Sequence, residues 1–282
     1  MKQEWWDNNG GFFGIHYIIG DYSIEGYIPG KKETLEQRTQ RESEGVVNLL
    51  KLKKESNILD CPCGYGRHSI ALAKKEYNVK GIDISWGLLK YAISDAERFG
   101  LEKKALFEIG DMRDLGEENY NRFDAVINMF YSFGFFEEED NVQTMQEFYN
   151  ALKEDGQFLL HTDISPEMIL KGKDYKLSET RNLTNGKRIN GKLVTDGKLI
   201  IKEKYNHKTK RITGSWVIEQ KDDWKDELYE IKLTPYSVRI YSKEEFDEMA
   251  KGVGFKETKF YGSFKGEDFT KDSKELIMVA KK

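Results

Sequence analysis

The sequence predicts an α/β fold: a doubly wound, mostly parallel sheet of seven strands, with an antiparallel β cap inserted late in the chain. Three observations predict it. Short apolar runs alternate with helical stretches between residues 34 and 163, as in β-α-β units with a parallel sheet. Asp60, Asp83, Asp111, Asn128 and His161 each fall at the end of such a run, where open parallel sheets collect their ligands. Residues 177–240 then switch to a period of two, punctuated by Asn185-Gly186, Asn190-Gly191 and Asp196-Gly197, the pattern of antiparallel hairpins.

The elements follow in order. Residues 1–33 mix aromatics (Trp5, Trp6, Phe12, Phe13, Tyr17, Tyr22) with glycines at 10, 11, 14 and 20 and hold no period. Such a stretch reads as an aromatic lid, with an arm packed on the domain as the alternative. From Thr34 to Leu52, Leu35, Val46, Val47, Leu49 and Leu50 mark an amphipathic helix. The chain is organised around what comes next: strand Ile58-Leu59, the acid Asp60, the loop Cys61-Pro62-Cys63-Gly64-Tyr65-Gly66, and a helix from near His68 through Tyr77. Glycine accepts positive φ there and lets a ligand approach the backbone, and a strand, glycine loop and helix in series read as a nucleotide-type cofactor site. Asp60, Cys63, Gly64, Gly66 and Arg67 are its candidate residues, with His68 supporting the loop.

Val79–Asp83 is a second strand whose terminal acid is placed to accept hydrogen bonds from both hydroxyls of a ribose. Ser85 is the expected cap of the helix Trp86–Phe99. Ala105–Met112 gives a third strand ending in Gly110-Asp111, and Phe123–Asn128 a fourth. A helix over Asn141–Leu152, a turn at Glu154-Asp155-Gly156 and a fifth strand, Gln157–His161, complete the first half. Ser242 and Glu245 form a capping box for a later helix. Gly254–Tyr261 and Glu275–Ala280 close the sheet as its sixth and seventh strands. The chain thus divides into a lid (1–33), a core (34–170 and 241–282) and a cap (171–240).

Composition bounds the function. The 282 residues carry a net charge of -4 with acids and bases interspersed, so there is no electrostatic footprint for nucleic acid. No segment reads as a secretory leader or a membrane span, and a cytoplasmic monomer or homodimer is expected. The two cysteines, Cys61 and Cys63, are too close for an easy disulfide and lack neighbouring zinc ligands, so no metal is expected.

The motifs Asp60-x-Pro62-Cys63-Gly64-x-Gly66-Arg67-His68, Gly81-Ile82-Asp83-Ile84-Ser85, Gly110-Asp111-Met112-Arg113 and Phe123-Asp124-Ala125-Val126 resemble the class I S-adenosylmethionine-dependent methyltransferases. Within that class they resemble a bacterial and archaeal small-molecule group with a D-x-P-C-G-x-G-R-H loop, in which Pro62 stands where the usual loop has its first glycine. The resemblance covers residues 34–163 well and the tail more loosely. It implies that the Gly64 and Gly66 loop meets the methionine portion and Asp83, beside Ile84, the ribose. It places Asp111 and Met112 at the adenine, and Asn128 and Met129 on the sulfonium side. The implied activity is methyl transfer by in-line displacement to an oxygen, nitrogen or carbon of a small molecule, releasing S-adenosylhomocysteine.

The sulfonium methyl is already electrophilic, so the protein mainly aligns a nucleophile and excludes water. A base helps only a protonated acceptor, and His16, Tyr17, Tyr22 and His161 are candidates by placement. Tyr131, Trp216, Tyr236 and Arg239 are substrate candidates, Arg239 for an anionic group. Three other readings compete. A dinucleotide oxidoreductase needs a third glycine where Ser69 stands. RNA or protein methylation draws on the spacing of Asn128 and Tyr131, but the prolines that stiffen such a motif are missing. A non-catalytic S-adenosylmethionine-binding protein is the third.

Overall fold

In the computed structural model the described residues are 4–7, 11–14, 16–18, 33–166, 169, 174–182, 188–189, 192–193, 197–221 and 228–282. Helix α1 (Leu35–Leu49) opens with a capping box, in which Thr34 and Gln37 exchange side-chain and backbone hydrogen bonds. Then come β1 (Asn57–Asp60), α2 (Arg67–Ala73), β2 (Asn78–Asp83), α3 (Trp86–Phe99) and β3 (Ala105–Ile109). The first half ends with β4 (Phe123–Asn128), α4 (Glu138–Ala151) and β5 (Leu152–Thr162). The cap contributes β6 (Tyr175–Asn182), the short pair β7 (Arg188–Ile189) and β8 (Lys192–Leu193), β9 (Gly197–Asn206), β10 (Arg211–Lys221), β11 (Leu228–Lys232) and β12 (Tyr236–Arg239). Helix α5 (Lys243–Val253) and strands β13 (Glu257–Tyr261) and β14 (Leu276–Lys281) close the chain.

The core is a seven-stranded sheet in the order β13-β14-β5-β4-β1-β2-β3, parallel except for β14, which runs antiparallel to both neighbours. Side chains alternate across it with the period of two that a pleat imposes. Leu59, Val126, Phe158, Leu160 and Met278 face Met145 and Phe148 of α4 and Phe246 of α5. Ile58, Val79, Ile127, Leu159 and Ile277 face Val46 of α1 and Leu72 of α2 on the other side. Burial on both faces explains why these strands read as continuous apolar runs. After β1 the chain winds outward through β2 and β3, then returns to lay β4 on the other side of β1, so a crevice opens at the ends of β1 and β4.

The cap is a separate antiparallel sheet in the order β11-β10-β9-β6, with β12 also paired to β10. Its turn between β9 and β10 is set by Asn206, whose side-chain oxygen accepts from the N–H groups of Lys208 and Thr209. The predicted turns at Asn185-Gly186 and Asn190-Gly191, and Asp196 of the third, lie outside the described residues. The inner face of the cap, with Leu199, Ile201, Ile212, Trp216 and Val238, packs on Phe12, Tyr17 and Ile18 of the N-terminal segment.

Several boundaries differ from expectation for identifiable reasons. Helix α2 starts at Arg67 and stops at Ala73, because Gly66 in a left-handed conformation (φ 80°) begins it and Glu76 (φ 70°) follows. Helix α4 begins at Glu138, since Glu138, Glu139 and Asp140 suit a positive helix start. Strand β5 starts at Leu152, absorbing the predicted Glu154-Asp155-Gly156 turn where its register against β4 shifts. Ser85 occupies the cap position of α3, but its hydroxyl makes no capping bond; Asp83 accepts the Ser85 N–H instead. Among the described residues no helix is long and apolar enough to cross a membrane.

Candidate active site

A cavity with about 840 Å³ of empty space, mouth included, lies over the carboxyl ends of β1, β2 and β4. Its floor is the loop after β1. The two glycines there differ in kind. Gly64 (φ 56°) would point a Cβ into open space, so its bare backbone faces the cavity. Gly66 is not on the wall: a Cβ there would sit 2.7 Å from that of Ala92 and 3.0 Å from the Phe107 ring, so it serves the packing of α2 on α3 and β3.

Asp83 is buried on the cavity wall. It ties the loop to β2, with Oδ2 accepting the Gly64 N–H at 2.7 Å and Oδ1 the Ser85 N–H at 2.8 Å. Burial pushes its carboxyl up to about 6. The Ile84 N–H is a third backbone donor to this carboxylate, whose oxygens have about four lone pairs in all. Asp60 lies behind the wall, where it accepts the Ser69 hydroxyl at 2.5 Å and so clamps α2 to β1. Burial pushes it up to about 7. Cys61 and Cys63 reach the wall as buried thiols, raised well above their ordinary value by burial and the neighbouring Asp83.

Ile84, Asp111 and Met112 form the far wall. Burial favours the neutral form of Asp111, but the Arg113 guanidinium, forked onto both its oxygens, holds the carboxyl below its ordinary value. Arg113 also reaches Asp140. Asn128 sits one layer back: its Nδ2 donates to the Cys61 carbonyl and its Oδ1 has no hydrogen-bond partner among the described residues, while Met129 reaches the wall. Phe130 and Tyr131 are both left-handed (φ 63° and 65°), a costly backbone for aromatic residues. This turns Phe130 into the main cavity and Tyr131 into a second, smaller one of about 230 Å³.

Beneath the Arg67 side of the wall lies a buried ionic cluster. Glu42 of α1 accepts from Arg38 Nε at 2.7 Å, Arg67 Nη1 at 2.6 Å and His68 Nε2 at 2.8 Å. Burial and the adjacent Arg67 push His68 down to about 4, so its imidazole is neutral and donates through Nε2. The guanidiniums hold Glu42 well below the usual range against its burial.

Over the mouth the N-terminal segment supplies Trp5, Phe13 and Tyr17, and the loop after β4 supplies Phe135 and Phe136. Trp5 and Phe13 each approach Phe135 to 5.1 Å between ring centroids. Tyr17 stacks on Trp216 of the cap at 5.3 Å and 9°.

Of the three acid–base candidates among the described residues, only Tyr17 stands on the wall. His16 is half-buried off it, with burial lowering its pKa. His161 is fully buried and pushed down to about 3; its Nδ1 accepts the Phe130 N–H at 3.3 Å. Tyr22 lies outside the described residues. The substrate candidates fall behind the wall. Trp216 backs Tyr17, Tyr236 backs Phe12 and donates to Glu203, and Tyr131 faces the second cavity. Arg239 is paired with Glu245 and Glu138 and stacks over Tyr241, so its charge is spent holding the cap to α5. Sequence reasoning missed Arg38, Glu42 and Phe130. The signal for the first two was an i, i+4 charge pair on the face of α1 that also carries Val46.

Residues 58–156 match the family model described as a methyltransferase domain. A glycine/sarcosine N-methyltransferase of Aphanothece halophytica is 34% identical over 140 residues, 49% of this chain and 52% of that protein, so the chain matches about half the length of this curated relative. The CcbJ methyltransferase of Streptomyces caelestis superposes with a TM-score of 0.72 over 99% of this chain and 98% of its own, at 14% identity. S-adenosylmethionine-bound CalS10, an amino pentose methyltransferase of Micromonospora echinaspora, does so at 0.62 over 86% and 91%, at 17% identity. At these identities the structural likeness establishes the fold.

Proposed function

We propose, for a chain whose residues 58–156 match a methyltransferase domain, that the protein is an S-adenosylmethionine-dependent methyltransferase acting on a small molecule. The observation that carries this reading is the cradle at Gly64: bare, left-handed backbone facing open space in a cavity that Asp83 and Arg67 also line. The residues present fit the cofactor. Asp83 would accept from a ribose hydroxyl, Asp111 and Met112 on the cavity wall would take the adenine, and Arg67 would offer a cation to the methionine carboxylate. Asp60, Gly66 and Asn128 act from behind, fixing the loop that carries these groups.

When bound, S-adenosylmethionine supplies an electrophilic methyl on a sulfonium and leaves as S-adenosylhomocysteine. The chain's own part is to orient and to exclude water. Trp5, Phe13, Tyr17, Phe135 and Phe136 make a ring-lined acceptor chamber, which supports an acceptor with an apolar body. Aromatic faces also suit the positive charge that passes to a nitrogen on methylation, and an amine entering as its free base needs no protein base. The names of the relatives, a glycine/sarcosine N-methyltransferase and an amino pentose methyltransferase, support nitrogen as well. The segment before residue 34 and the cap select the acceptor, and Tyr17 is the wall residue nearest to a catalytic role. The loop Asp60-x-Pro62-Cys63-Gly64-x-Gly66-Arg67-His68 supports membership of the small-molecule group that shares it. The interspersed charge of the sequence supports a protein with no nucleic-acid partner, and we propose a cytoplasmic monomer or homodimer.

Calorimetric titration with S-adenosylmethionine and S-adenosylhomocysteine, followed by a methyl-transfer assay over a panel of small amines and alcohols, tests the reading. One-to-one binding of both and turnover of an amine are expected. Failure to bind either nucleoside sinks it; binding without turnover on any acceptor favours a binding protein instead.

A further inference from the structure

We propose that Glu42 is a positioning residue: it holds the Arg67 guanidinium at the cavity wall in the orientation that receives the carboxylate of the cofactor. The inference rests on the cofactor reading above and adds to it the residue that aims the cation. Glu42 itself is fully buried in α1 and does not reach the cavity. Everything it touches converges on Arg67. Nη1 of Arg67 is pinned twice, by Glu42 Oε2 at 2.6 Å and by the Thr39 hydroxyl oxygen at 3.1 Å, both from α1. Glu42 Oε1 takes Arg38, whose guanidinium carbon lies 4.0 Å from the centre of the Phe130 ring, while that of Arg67 lies 5.2 Å from the same centre. The left-handed backbone of Phe130 brings its ring there.

Two guanidiniums share one carboxylate, so Glu42 alone neutralises neither of them. Asp163 is a further acid near Arg38; burial raises its carboxyl and the Arg38 charge opposes that. His68 adds a hydrogen bond to Glu42 but no charge at neutral pH. Of the cluster's two guanidiniums, Arg67 is the one that lines the cavity, beside the neutral His68. A guanidinium held by two hydrogen bonds to a helix has a fixed plane, and a fixed plane is what a forked guanidinium–carboxylate contact needs. Without Glu42 the buried guanidiniums would face each other uncompensated, and Arg67 would turn to solvent.

The test uses two cofactors that differ in the carboxylate alone: S-adenosylmethionine and its decarboxylated form, which keeps the sulfonium and the amine. Their dissociation constants are measured by calorimetry for the wild type, Glu42→Gln and Arg67→Gln, with circular dichroism and melting curves to confirm folding. The wild type should prefer the carboxylate-bearing form by about tenfold or more. Glu42→Gln should lose that preference by weakening S-adenosylmethionine alone, leaving the decarboxylated form within about twofold of its wild-type value. In turnover this should appear as a raised KM for S-adenosylmethionine at nearly constant kcat. Arg67→Gln leaves Glu42 bound to Arg38 and His68, so it keeps a folded core if Glu42→Gln does not, and should lose the same preference. The proposal is overturned if a folded Glu42→Gln weakens both forms alike or binds S-adenosylmethionine more tightly, or if Arg67→Gln keeps the wild-type preference. A wild type that binds both forms equally sinks the aiming role alone; one that binds neither sinks the cofactor reading with it.

Discussion

The two halves of the cavity are built by different means. The loop half, from Gly64 to Met112, is made of strand ends in one parallel sheet, and its polar groups are fixed by backbone hydrogen bonds such as those of Asp83 to Gly64 and Ser85. The ring half is made of aromatic side chains from the N-terminal segment and the loop after β4, backed by the cap. Hydrogen bonds to a backbone fix position closely and tolerate little change. Ring packing fixes volume and tolerates substitution of similar shape. Under the proposed function, the first half would take the cofactor and the second the methyl acceptor.

Mutations can break that division. The largest effect is expected from Asp83→Ala, which removes two charge-assisted hydrogen-bond acceptors worth roughly 1.5–3 kcal/mol each. Calorimetry should show S-adenosylmethionine affinity falling by at least about tenfold in a folded protein. Wild-type affinity would mean that Asp83 serves only the loop.

The glycine pair sharpens the comparison within the loop half. Gly66→Ala should lose about 1–3 kcal/mol of stability from the contact with Ala92 and Phe107, read as a lower melting temperature. Gly64→Ala should cost only about 1 kcal/mol of backbone strain, yet weaken cofactor binding more than Gly66→Ala does, because its Cβ enters the cradle. The reverse ranking would place the ligand elsewhere.

Phe13→Ala, in the ring half, should lower kcat/KM for the acceptor by about tenfold and leave the dissociation constant of the cofactor within about twofold. Equal losses in both would mean the halves are not separable.

The smallest effect is one of pH. The folded-state value of about 6 for Asp83 lies above the ordinary carboxylate value of about 4, so between those values the folded chain binds more protons than the unfolded one. The contribution of this group to stability therefore rises as pH falls through that window, while cofactor affinity, which uses the ionised form, should fall a few-fold. Titrations at pH 7.5 and 5.5 check it, and affinity unchanged between them removes the ionised Asp83 from the contact. Asp60, at about 7, makes the same kind of stability contribution up to higher pH, so Asp60→Asn should gain stability relative to wild type as pH rises.

What the sequence made legible follows the same division. Strands buried on both faces announce themselves as apolar runs, and their terminal acids Asp60, Asp83 and Asp111 were placed correctly at the sheet's carboxyl end. Which of those acids reaches the cavity was not legible, since Asp60 and Asp83 differ only in what packs around them. The ring half was visible as the aromatic stretch before residue 34, read as a lid, but not down to which rings reach the wall. Trp216 and Tyr236 read as substrate contacts because nothing local tells a ring on a wall from the ring behind it. Glu42 and Arg38 were hidden because their meaning depends on Arg67 and His68, which a loop and a strand separate from them in the chain. The left-handed pair Phe130-Tyr131 has no glycine to announce it.

Phe12, wedged against Trp216 at 5.0 Å and Tyr236 at 4.2 Å between ring centroids, carries a consequence for how the molecule assembles. The contacts of the loop half join segments that are neighbours along the chain, and such contacts close early at small entropic cost. The contacts of Phe12 join the first turn of the chain to its last third, so they can form only after most of the polypeptide has been ordered. Refolding from denaturant should therefore pass through a stage that retains nucleoside before it can turn over an acceptor. Recovery of cofactor-induced fluorescence change should run ahead of recovery of methyl transfer, and the acceptor chamber should be the first part to open again on unfolding.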